Sequence, residues 1–175
     1  MTFDVLAMTA VAAELREMAI GARVQRVTQP SRQVIVLSLY HAGEEYGLLL
    51  STHPHHARVH LTGRSYRLPQ QPPPFCMLLR KYLTGARISA VVQPHLERIL
   101  MLHFEAHEVL PPVKIIAEIM GRRSNVILVD EEEIILGAIK TATREQNPRR
   151  AVLPGLPYEE VPPQSRLDPS ETEGE

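Results

Sequence analysis

Between residues 22 and 140 one short β-rich segment follows another with a single helical interruption, and that succession constrains the fold more than any other feature. The segments are ARVQRVTQ (22–29), VIVLSLY (34–40), YGLLLS (46–51), ARVHL (57–61), RISAVVQ (87–93), RILMLHF (98–104), KIIAEIM (114–120), NVILV (125–129) and IILGAIK (134–140). They are rich in β-branched and apolar residues and are separated by turn residues such as those of HAGEE. Parallel strands need a crossover between each pair, whereas antiparallel neighbours close through short turns. The pattern therefore predicts an α+β fold: a mainly antiparallel β sandwich or barrel of roughly eight strands, carrying two helices. Within 57–61, period two puts Ala57, Val59 and Leu61 on a core face and Arg58 and His60 on a cationic one.

The two helices are marked by period and by caps. Val5, Met8, Ala12, Leu15 and Ala19 recur at spacings of three and four, with Asp4 placed as N-cap and Gly21 as a stop. The proline run LPQQPPP (68–74) suits neither helix nor ladder, and it leads into the apolar stripe Phe75, Leu78, Leu79, Tyr82, Leu83, ending at Gly85. Cys76 lies in that stripe, and a single cysteine closes no intramolecular disulfide, so it reads as a buried thiol. The proline-dense stretch from Asn147 reads as a clamped loop fading into an acidic tail, which sets one domain over 1–160 and a linker over 161–175.

The net charge of −1 conceals an asymmetry. From residue 16 to 100 there are eleven Arg or Lys against four Asp or Glu, with six of the eight histidines, whereas acids crowd 130–133 and 159–175. Salt screens charges beyond about 8–10 Å, so the local excess decides what binds; it fits a basic face with acidic edges. No apolar run approaches the roughly eighteen residues of a membrane span. No charged-then-apolar leader opens the chain, so a cytoplasmic protein without membrane contact is expected.

Motifs for nucleotide, dinucleotide, zinc-protease and hydrolase chemistry are absent, and neither a cofactor nor a catalytic residue is expected. His53, His55, His56 and His60 lack an accompanying cysteine or carboxylate and read as surface or packing residues rather than metal ligands. Glu131, Glu132 and Glu133 read as a solvated hairpin edge. Glu97-Arg98 opens a strand after a proline turn, as a strand-end ion pair or as donors projecting from a rigid element. Arg122 and Arg123 follow Gly121 between two strands, as a plain polar turn or an anion-binding one.

Three stretches together, LLLSTHPHHARVHLT (48–62), PPPFCMLLRKYLTGARI (72–88) and EIMGRRSNVILVD (118–130), resemble the NFACT-N domain of the bacterial RqcH and eukaryotic NEMF family. The likeness runs from the opening MTFDVLAMTAVAAEL to VLPG at 152–155. It implies the amino-terminal part of a ribosome-associated quality control factor, which binds obstructed large ribosomal subunits with peptidyl-tRNA and recruits alanine tRNA for carboxy-terminal tailing. The family carries an Asp-Arg pair tied to tRNA recruitment where this chain has Glu97 and Arg98. The carboxylate is one methylene longer here. Several relatives have histidine where this chain has Arg123. The resemblance thus implies a noncatalytic tRNA-binding module using Glu97, Arg98, Arg122, Arg123 and Arg58.

Two alternatives accompany it. An older family name suggests a fibronectin-binding adhesin. The domain is also similar in fold to the amino-terminal domain of the formamidopyrimidine-type DNA glycosylases, which admits a nucleic-acid enzyme. That chemistry uses an amino-terminal Pro-Glu, and this chain begins Met1-Thr2-Phe3.

Overall fold

The computed structural model describes residues 3–161 as two antiparallel sheets and two α-helices, an α+β fold. The first sheet is a four-strand meander of β1 (Arg23–Ser31), β2 (Val34–His41), β3 (Glu44–Ser51) and β4 (Arg58–Thr62). The second is a five-strand meander of β5 (Ile88–Val92), β6 (Ile99–Phe104), β7 (Val113–Glu118), β8 (Asn125–Asp130) and β9 (Ile135–Ala138). Nine strands form among the described residues, against the roughly eight expected; each β-rich segment of the sequence supplies one.

The sheets meet along the start of β1. Its backbone exchanges hydrogen bonds with residues 85–88, including Val24 N to Ala86 O (2.9 Å) and Ile88 N to Ala22 O (2.9 Å). Helix α1 (Val5–Met18) is capped at Asp4, whose carboxylate accepts from Ala7 N at 2.9 Å, and it buries Met8, Ala12 and Leu15. Helix α2 (Pro74–Leu83) begins one residue before the predicted stripe because proline suits the first helical position, where no N–H is needed. It lays Cys76, Leu79 and Leu83 into the core and packs on β1 and β9. Inward residues of both sheets and both helices, among them Leu37, Leu50, Leu100, Ile115 and Leu128, form one continuous apolar cluster.

Strand β8 is apolar without alternation, and the structure gives the reason. Val126 and Leu128 face the main core, while Ile127 and Val129 face a second cluster with Ile99, Ile116, Ile135 and Val152. The chain after β9 folds back over the outer face of the five-stranded sheet, so both faces of β8 are dry. The clamped loop read from Asn147 onward is this strap. Of the linker expected over 161–175, residues 162–175 lie outside the described residues.

Candidate nucleic-acid interface

One end of the five-stranded sheet gathers four of the five residues singled out in the sequence. Glu97 and Arg98 lie between a 3-10 turn at Pro94–Leu96 and β6, both half-buried. That turn is tight enough to force His95 and Leu96 to φ values of 53° and 52°, a left-handed conformation rare for side chains with a Cβ. It is held by Gln93, whose Nε2 donates to Glu97 O at 2.8 Å, and by Ile119 N, which donates to Arg98 O at 2.9 Å. The second bond ties the Arg98 backbone to the strand that leads into the turn at Gly121–Arg123. Glycine at 121 takes a φ of 59° without the strain a Cβ would bring. Arg122 and Arg123 are both exposed.

Further polar residues converge on the same end, among them Lys140, which the sequence did not single out. Asn125 bonds β8 to the end of β9 through Lys140, accepting from Lys140 N at 3.0 Å and donating to Lys140 O at 2.9 Å. Lys140 Nζ then donates to Arg122 O at 3.2 Å, and burial lowers its pKa. The histidine turn of the first sheet also arrives here: a Cβ on Gly121 would stand 4.0 Å from Pro54 O. The rings of His53 and His56 are 4.9 Å apart at an interplanar angle of 30°. Among the described residues, no three His, Cys, Asp or Glu side chains are placed to share a metal ion.

Among the described residues the guanidinium groups of Arg98, Arg122 and Arg123 make neither an ion pair nor a side-chain hydrogen bond to the protein, so Glu97 and Arg98 do not pair. Arg58 stands apart. It points away from the core beside buried Val59, and its Nε donates to His60 Nε2 at 2.9 Å on the outer face of the first sheet. The acids at 131–133 occupy the hairpin turn between β8 and β9, where Glu133 pairs with Lys114 at 2.6 Å.

Behind Arg98 lies a buried ionic network whose existence no local pattern announces. Glu118, fully buried at the end of β7, accepts from Arg150 Nη1 at 3.0 Å and from the Tyr158 hydroxyl at 2.7 Å, and forms an ion pair with Arg150 Nη2. Arg150 also donates to Glu159 O at 2.7 Å. Burial pushes the Tyr158 phenol well up, with the Glu118 charge next in effect. Burial works against the Arg150 charge, but the hydrogen bonds and attraction from Glu118 outweigh it and raise its pKa. The network pins the strap to the strand paired with β6.

Fold and surface together define a two-sheet α+β domain that brings Arg98, Arg122 and Arg123, none of them in an ion pair among the described residues, to one sheet end. The model of the family described as NFACT N-terminal and middle domains matches residues 4–175, and the chain belongs to that NFACT-N family, which includes RqcH and NEMF. It is 37% identical over 175 residues to the Rqc2 homolog RqcH of Bacillus subtilis, covering 98% of this chain and 31% of that protein. It is 28% identical over 143 residues to the human ribosome quality control complex subunit NEMF, covering 82% of this chain and 13% of that protein. The chain thus spans about a third of the bacterial relatives it matches.

Solved structures agree. The amino-terminal domain of the fibronectin-binding protein PavA from Streptococcus pneumoniae superposes with a TM-score of 0.88 at 36% identity, covering 93% of this chain and 63% of that one. That of the fibronectin/fibrinogen-binding protein from Streptococcus suis does so at 0.88 and 38%, covering 93% and 62%.

Proposed function

We propose that this chain is the RNA-engaging head of a ribosome quality control factor and that it binds tRNA through the arginine-bearing end of the five-stranded sheet. Arg98, Arg122 and Arg123 supply phosphate contacts, Glu97 orients or accepts from a base or sugar edge, and Arg58 extends the cationic surface onto the first sheet. The observation that carries this reading is the set of guanidinium groups of Arg98, Arg122 and Arg123 without a protein partner among the described residues, beside turns held by hydrogen bonds to the backbone. Arginine offers a planar fork of donors suited to phosphate, and a rigid mount reduces the entropy lost on binding. The names of its relatives favour the ribosome as the setting. In that setting the full-length factor occupies a stalled large subunit with its peptidyl-tRNA and recruits alanine tRNA for tailing. Residues 1–160 act there as a noncatalytic module in the cytoplasm.

The test is binding of labelled tRNA to the chain and to Arg98→Ala across a salt series, with circular dichroism on both. Affinity should fall as salt rises, and the variant should bind more weakly with a slope shallower by about one unit. Affinity insensitive to salt, or unchanged in a folded Arg98→Ala, counts against the reading. The names of the solved neighbours favour a second reading, binding to fibronectin. Saturable capture on immobilised fibronectin that Arg98→Ala leaves unchanged would favour it over tRNA.

A further inference from the structure

The outer face of the four-stranded sheet is grooved. Along β4 the outward residues are Arg58, His60 and Thr62, opposite Ser51, Leu49 and Gly47 of β3. Gly47 has no side chain to fill the floor: a Cβ there would stand 3.1 Å from Thr62 Cγ2 and 3.4 Å from Val36 Cγ1. The segment after β4 forms the far wall, leaving a cavity of about 470 Å³ lined by Arg26, Thr28, Ser38, Glu45, Arg64 and Tyr66 among others. A second cleft of about 180 Å³ adjoins it, sharing Thr28 and Leu68 and adding Gln29 and Arg80. Gln29 is 5% exposed, and its Oε1 finds no hydrogen-bond partner among the described residues.

We infer that this groove holds a short single-stranded RNA segment, continuous through Arg58 and His60 with the proposed tRNA-binding end. The inference rests on the RNA reading above and adds a second subsite to it. Tyr66 is half-buried, with the Arg64 guanidinium 5.8 Å from its ring centroid and its hydroxyl 3.3 Å from Thr62 Oγ1, so an aromatic face is fixed beside a cation. An unpaired base stacks on such a face whatever its identity, and a duplex offers none. Arg26 and Arg64 match phosphates, and the hydroxyls of Thr28 and Ser38 lie within the same cavity for ribose. One acid, Glu45, stands among these cations. An acidic peptide would satisfy the arginines but leave the stacking face unused.

Fluorescence anisotropy with a fluorescein-labelled single-stranded RNA of about ten nucleotides tests this, at a site size ordinary for such grooves. Tyr66→Ala should weaken binding about fivefold or more, whereas Tyr66→Phe, which keeps the ring, should hold within about twofold. Arg64→Ala should lower the salt slope by about one unit. RNA carrying 4-thiouridine should crosslink within residues 62–68. A folded Tyr66→Ala that binds like wild type overturns the inference. So does absence of wild-type binding, or polyglutamate competing as well as RNA. If Arg98→Ala loses tRNA while Tyr66→Ala binds both RNAs normally, the groove fails and the sheet-end reading stands.

Discussion

Replacing Arg150 by methionine would leave Glu118 as an uncompensated charge in a dry interior. The side chains of the pair are 10% and 0% exposed, so water cannot take over the lost bonds without lifting the strap. Removing one member of a buried, hydrogen-bonded pair costs about 3–5 kcal/mol, most of it the penalty on the charge left behind. For a chain of this size each kcal/mol moves the melting temperature by about 2–4 °C, so Arg150→Met should melt on the order of 10 °C lower. The double variant Glu118→Leu with Arg150→Met has no such charge and should regain most of the loss. Thermal and urea denaturation of wild type, single and double variants measures both. A loss under about 1 kcal/mol in the single variant, or no recovery in the double, refutes the claim that the pair holds the strap.

Two further outcomes follow from titratable groups. Burial raises the Cys76 thiol, although Arg80 pulls it down, and its Sγ lies 3.6 Å from Val27 O, so native labelling by iodoacetamide should be slower than in urea by on the order of a hundredfold. Burial, and Lys114 across the ladder, lower the His103 pKa below 6.5 while Glu133 opposes them. The unfolded chain therefore takes up that proton first: the stability His103 contributes is full above about pH 6.5 and declines as pH falls through the depressed folded value. His103→Gln should flatten that part of the stability profile in thermal melts, and an unchanged profile would contradict the assigned environment.

The sequence by itself determined the strands, the helices and the Asp4 cap of α1, because these depend on period and on local hydrogen bonding; α1 ends at Met18, short of the expected stop at Gly21. Asp4 caps α1 and the 75–83 stripe is α2 for reasons contained within a few residues. The Gly121 turn was legible in the same way, since a glycine followed by polar residues between two strands marks a turn. Tertiary structure alone decided how these pieces meet. It placed Arg98 beside the Gly121–Arg123 turn through the pairing of β6 with β7, and sent Arg58 onto the other sheet's outer face. It buried both sides of β8 by returning residues 147–161 over it. It joined Glu118 to Arg150 across 32 positions, and formed the Tyr66 groove from β1, β2, β3 and the segment after β4. Each of these is a contact between residues distant in the chain, fixed by sheet register and shared burial, which the spacing of residues in a sequence does not record.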